Sequence, residues 1–176
     1  MQGVMNFFVF SLAALALVSQ ALATSMDVHF ASCKPAGAGA TINSVNVNPC
    51  SALPCMLSPK DSYNVTVNVT LTNGLTTGQA KLGAMLHNLF VSYPGFTQTD
   101  FCKNLVDAEC PLKPGQSVLY KMLIFFPKGT PIILLPSVIE IEWKLQDQTD
   151  KEITCFNSII RVNKNEPEER RIPIRV

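Results

Sequence analysis

Six cysteines, at positions 33, 50, 55, 102, 110 and 155, are the residues of this chain best placed to do chemistry. Two chemistries suit such a set, metal ligation and disulfide closure. Thiolate metal sites are built from clusters such as Cys-x-x-Cys, and the chain has none. Three disulfides can connect six thiols in fifteen ways. Cys50 with Cys55 and Cys102 with Cys110 are close neighbours, so local bridging is the simplest assignment, which leaves Cys33 for Cys155. In the chain-entropy picture that long closure contributes on the order of 4–5 kcal/mol, and each short one about 2–3 kcal/mol.

Other candidates for chemistry are few. His29 and His87 are the two histidines, each in an apolar segment and neither within a partner motif. Gly-x-Ser-x-Gly, His-Glu-x-x-His and phosphate-cradling glycine loops are missing. Glu140 and Glu142 alternate onto one strand face, where a solvated pair of carboxylates is expected rather than an acid–base couple. Nothing in the chain supports catalysis, so we read it as a non-enzyme with no cofactor beyond a bound ligand. The remaining chemistry is modification: Asn64-Val65-Thr66 and Asn68-Val69-Thr70 are both N-glycosylation sequons.

Paired cysteines and sequons suit an exported protein. Residues 1–23 carry no charged side chain, hold an apolar block from Phe7 to Leu17 and end in Ala21-Leu22-Ala23. That is the pattern of a secretory signal peptide cleaved after a small-x-small site. The expected organisation is a signal peptide over 1–23, one domain over 24–163 and a charged, disordered tail over 164–176. The expected location is extracellular or lysosomal. With 14 basic against 13 acidic residues and no basic stripe, nucleic acid is excluded as a partner.

The elements that must position these residues read as strands. Between Ile139 and Leu145, Ile139, Ile141, Trp143 and Leu145 alternate with Glu140, Glu142 and Lys144, the period-two pattern of a strand with one buried face. Lys151 to Val162 reads as its returning partner. Tyr63 to Thr72 alternates as cleanly, with Val65, Val67, Val69 and Leu71 inward and both sequon asparagines outward. Ser117 to Phe126 is a further strand. Gln79 to Val91 is ambiguous, because Leu82, Met85, Leu86, Leu89 and Phe90 carry helical spacing while Gly83 argues for strand. Pro127, Pro131 and Pro136 break the following apolar run into a loop or edge. Hydrophobic residues make up 47% of the chain and charged ones only 15%, more apolar side chain than so small a body needs for a sealed core. The fold class expected is all-β: a sandwich of two antiparallel sheets with an apolar cavity between them.

The motifs that follow place the chain in company. Val45-Asn46-Val47-Asn48-Pro49-Cys50 with Pro54-Cys55, the run Tyr63 to Thr70, Cys110-Pro111-Leu112, and Glu142-Trp143-Lys144-Leu145-Gln146-Asp147 leading to Cys155 resemble the ML lipid-recognition domain family. The resemblance covers about Asp27 to Val162. It implies an immunoglobulin-like sandwich, the same three disulfides, strand over Gln79 to Val91, and a lipid held between the sheets. It also implies a cavity mouth at Tyr93, Phe126 and Leu135, with Val67, Val69, Leu86 and Ile141 as walls. Sterol carriers of the family have an aromatic residue where this chain has Leu135, so fatty acids, other isoprenoids and phospholipid chains stay open beside sterols. The implied partners are a sterol or other lipid, a membrane touched transiently by the 127–135 loop, and a receptor or transporter. Two alternatives remain: a lipid-sensing or semiochemical-sensing accessory on the same fold, and a plain adhesion domain with a filled core.

Overall fold

Alternation of apolar and polar side chains turns most of the chain into strands. The computed structural model describes residues 24–34, 38–86, 89–92, 99–127 and 136–164. In chain order the strands are β1 (Met26–Asp27), β2 (Phe30–Ser32), β3 (Ala40–Asn48), β4 (Met56–Leu57), β5 (Ser62–Leu71) and β6 (Gln79–Leu86). They continue as β7 (Leu89–Ser92), β8 (Thr99–Asp100), β9 (Leu105–Val106), β10 (Ser117–Phe125), β11 (Val138–Gln146) and β12 (Glu152–Val162). One sheet runs β1-β3-β5-β10-β9; the other runs β2-β12-β11-β6-β7, with β4 beside β12 and β8 beside β6. Among the described strands every pairing is antiparallel except that of β4 with β12.

β5 shows how sequence becomes wall. Tyr63, Val65, Val67, Val69 and Leu71 are all buried, while Asn64, Thr66, Asn68 and Thr70 face out. Its neighbour β10 repeats the pattern with Val118, Tyr120, Met122 and Ile124 inward. From the other sheet, Ile139, Ile141, Trp143 and Leu145 of β11 point back at them.

Over 79–91 the strand reading prevails over the helical spacing. β6 and β7 form a hairpin with Leu86 opposite Leu89, and the other edge of β6 pairs with β11 from Met85 to Gln79. Hydrogen bonding along both edges satisfies the backbone of a strand bounded on each side, so tertiary context overrides periodicity.

One expectation for β11 needs correcting. Glu140 is exposed and accepts a hydrogen bond from Asn157 Nδ2 at 2.9 Å, but Glu142 is only 7% exposed, with Oε1 2.6 Å from Lys144 Nζ. The cause lies in the next strand, where Gly83 pairs with Glu142. With no side chain at Gly83, the Phe90 ring reaches in against β6; a Cβ there would stand 2.5 Å from it. Lys144 Nζ sits 4.8 Å from the Phe90 ring centre and 3.6 Å from Glu152, bridging the ring and both carboxylates. Burial pulls the Lys144 ammonium down, but the hydrogen bonds and charges of Glu142 and Glu152 outweigh it and leave its pKa raised.

Aromatic rings fill one half of the sandwich. Phe101 stacks on Tyr120 at 5.0 Å, Tyr120 meets Trp143 at 5.6 Å, Trp143 stacks on Phe156 at 5.6 Å, and Phe30 meets Phe156 edge-on at 5.9 Å. Such pairs contribute about 0.5–1.5 kcal/mol each beyond the area they bury.

Candidate ligand cavity

The other half is hollow. Beyond the aromatic stack, where β5 and β11 begin and β10 and β12 end, the sheets enclose a cavity of about 260 Å³. Val45, Val47, Tyr63, Val65, Met122 and Ile124 wall it from one sheet. Leu82, Ala84, Ile139, Ile141 and Ile160 wall it from the other, with Phe156 where the hollow meets the stack and Phe126 just past the end of β10.

Side-chain size explains the hollow. Packed sheets stand about 10 Å apart, a gap that two facing aromatics close and two facing aliphatics do not. Tyr120 and Trp143 close it. One step further along the same strands the inward residues are Met122 and Ile141, then Ile124 and Ile139, and Ala84 of β6 is smaller still.

The polar atoms in this lining are mostly spent within the protein. The Tyr63 hydroxyl accepts the Ser58 amide at 2.7 Å, and the Ser158 hydroxyl donates to the His29 carbonyl at 2.8 Å. Ser92 is exposed, on the edge strand. An occupant of the interior therefore meets apolar surface and is selected by shape. Just behind the cavity, Tyr120 is sealed off, its hydroxyl 2.6 Å from Thr99 Oγ1. Burial pushes its pKa up to about 12, against a smaller lowering by the Thr99 hydrogen bond. Among the described residues no cluster of His, Cys, Asp or Glu could hold a metal ion.

Ile141 and Phe126, both expected at the site, lie on the cavity surface. Val67 and Val69 do not. They sit opposite Tyr120 and Val118 in the β5–β10 register, fully buried in the filled half, a step or more too deep. Leu86 ends β6, but its side chain, together with Tyr93, Leu135 and the segments 1–23, 128–135 and 165–176 expected to form a signal peptide, a membrane-touching loop and a tail, lies outside the described residues. Val65, Met122, Ile139 and Ile160 were not singled out, although they occupy the same inward faces as residues that were. The missed signal was the aromatic pair itself, which marks where filling stops.

All three disulfides form as the spacing suggested. Cys33–Cys155 has its Cα atoms 5.5 Å apart, Cys50–Cys55 5.4 Å and Cys102–Cys110 5.7 Å. Cys33 follows β2 and Cys155 lies within β12, so the long bridge joins neighbouring strands of one sheet.

Residues 27–162 match the family model of the ML domain. NPC intracellular cholesterol transporter 2 of Sus scrofa is 32% identical over 161 residues, spanning 90% of this chain and 99% of that protein. Among solved structures, a Niemann-Pick type C2 protein from the Japanese carpenter ant superposes with a TM-score of 0.64 at 22% identity, over 77% of this chain and 99% of that one. Chicken MD-1, solved in complex with lipid IVa, superposes with a TM-score of 0.50 at 13% identity, over 79% and 98%. Both structural likenesses speak for the fold.

Proposed function

The chain belongs to the ML-domain family, and from that premise we propose that it binds a sterol or related lipid between its sheets and delivers it to a membrane or a receptor protein, with no covalent chemistry. The observation that carries this reading is the cavity, apolar on every side and with its interior polar atoms already engaged. A lipid burying about 400 Å² there gains roughly 10 kcal/mol gross, against association costs of about 4–15 kcal/mol. Useful affinity therefore depends on the hollow being present beforehand. At about 260 Å³ it lies just below the range of about 300–1,000 Å³ usual for small-molecule sites, so a sterol must spread the walls or protrude at the open end.

In this reading Ile141, Met122 and Val65 grip the ligand body and Phe126 guards the mouth, with Tyr93 and Leu135 assigned there by family resemblance. The relative from Sus scrofa is named a cholesterol transporter, which favours a sterol first. The signal peptide over 1–23 and an extracellular or lysosomal station belong to the same proposal.

The test is to delipidate the oxidised protein, titrate it with a fluorescent sterol, and measure transfer between vesicles. One-to-one binding with transfer supports a carrier. Binding without transfer, accompanied by a stable receptor complex, points to a sensing accessory. Failure to bind any lipid refutes the proposal, and mass spectrometry of lipids carried by the purified protein names the ligand.

A further inference from the structure

Two sequons lie on the outer face of β5, and the structure distinguishes them. At the second, Asn43 Nδ2 donates to Asn68 Oδ1 at 3.0 Å and to Thr70 Oγ1 at 2.7 Å, and Thr70 Oγ1 shares a hydrogen bond of 2.6 Å with Ser117 Oγ. The carboxamide and the hydroxyl of that sequon are thus bound into a bracket spanning β3, β5 and β10. Asn68 is half-buried, in mid-sheet, with Ser44 on one side and Leu119 on the other.

Asn64 is different. It is exposed, and among the described residues neither it nor Thr66 makes a side-chain hydrogen bond. It lines an open groove of about 330 Å³ with Asn104, Leu105, Val106, Lys121 and Leu123. The groove exists because β9 pairs with β10 only at Leu119 and Tyr120 and then stops, leaving a step at the sheet edge. Leu123, the direct cross-strand partner of Asn64, is 51% exposed, and Leu119, on the same face beyond Lys121, is exposed as well.

We propose that Asn64 carries the one N-linked glycan of this strand, with its innermost sugars lying in the groove over Leu123, and that Asn68 stays unmodified. A sugar ring suits this bed, since its C–H face covers the leucine while its hydroxyl and acetamido groups reach Lys121 and the side-chain carbonyl of Asn104. Asn104 Nδ2 is already spent on the Asp100 carbonyl at 2.7 Å. Covering Leu123 removes apolar surface from water, which is favourable. The donor is a lipid-pyrophosphate-linked oligosaccharide: Asn64 Nδ2 forms a bond to the anomeric carbon, the carbon–oxygen bond to pyrophosphate breaks, the lipid pyrophosphate leaves, and Nδ2 gives up one proton. A glycan on Asn68 has instead to swing the carboxamide off its bracket and stand between two neighbouring side chains. Sequon use requires passage through the secretory pathway, which the three disulfides independently favour.

The full chain is to be secreted from a eukaryotic cell line and treated with N-glycosidase in ¹⁸O-water, which converts each glycosylated Asn to labelled Asp. Label at residue 64 alone is expected. Asn64→Gln and, independently, Thr66→Ala should abolish the mobility shift, and Asn68→Gln should leave it unchanged. Amides of 121–125 should lose protection from hydrogen exchange in the Thr66→Ala protein. Label at 68, label at both positions, or an unglycosylated secreted chain overturns the assignment. Unchanged exchange over 121–125 overturns the bed.

Discussion

The phenol of Tyr120 and the indole of Trp143 reach toward each other from opposite sheets, ring centres 5.6 Å apart and inclined by 46°. They form the boundary between a filled and a hollow half. On the filled side lie Val67, Val69, Val118 and Leu145, all buried; on the other the walls part around the cavity.

Tyr120→Ala should cost about 3–5 kcal/mol of stability and deepen the cavity toward Phe101, letting lipids with longer tails compete better against a sterol. Tyr120→Phe removes only the hydrogen bond to Thr99 and should cost about 1 kcal/mol. Denaturant unfolding of both variants measures the difference. Equal costs would mean that the ring is not what props the sheets.

Phe126→Asp should weaken sterol binding by about tenfold or more, roughly 1.4 kcal/mol, because it sets a charge on the cavity's apolar surface. Ile141→Trp should block binding by filling the hollow, at an overpacking cost of about 1–3 kcal/mol. Fluorescent-sterol titration beside a melting curve separates lost binding from lost folding.

Alkaline pH tests the seal around Tyr120. A folded pKa pushed up to about 12, above an unfolded value near 10, favours the folded state while the phenol is neutral. That contribution is complete below about pH 10 and disappears as pH rises through about 12, a loss of roughly 3 kcal/mol. Absorbance near 295 nm should show Tyr120 ionising late or only on unfolding, the step identified by its loss in Tyr120→Phe. Early titration of the component missing from Tyr120→Phe would show Tyr120 to be open to water.

The disulfides should differ in worth. Replacing Cys33 and Cys155 together with serine frees a closure of 122 residues and should cost about 4–5 kcal/mol; replacing Cys50 and Cys55 frees a closure of 5 and should cost about 2 kcal/mol. Guanidinium midpoints of the two double variants provide the comparison.

Much of this was legible beforehand. Strict alternation in β5 and β11 is local information, so their inward faces could be named from residue order alone. β10 carries Leu119, Leu123 and Phe125 on its outer face as well, and only pairing with β5 tells its two faces apart. Cysteine spacing likewise pointed to the three bridges that form. What local pattern could not convey was depth along a strand. Val65 and Val67 look equivalent by periodicity, yet one faces the cavity and the other faces Tyr120, a difference fixed by register with β10. The same holds for Glu142, whose burial depends on a glycine in one neighbouring strand and a phenylalanine in the next.

Confining the stacked aromatic rings to one end has an evolutionary reach. The rings that close the gap and the aliphatic residues that line the hollow occupy separate stretches of the same strands, so drift at Met122, Ile139 or Ile160 can reshape the hollow while the stack stays in place. A lineage built this way can remould its interior while its scaffold stands still.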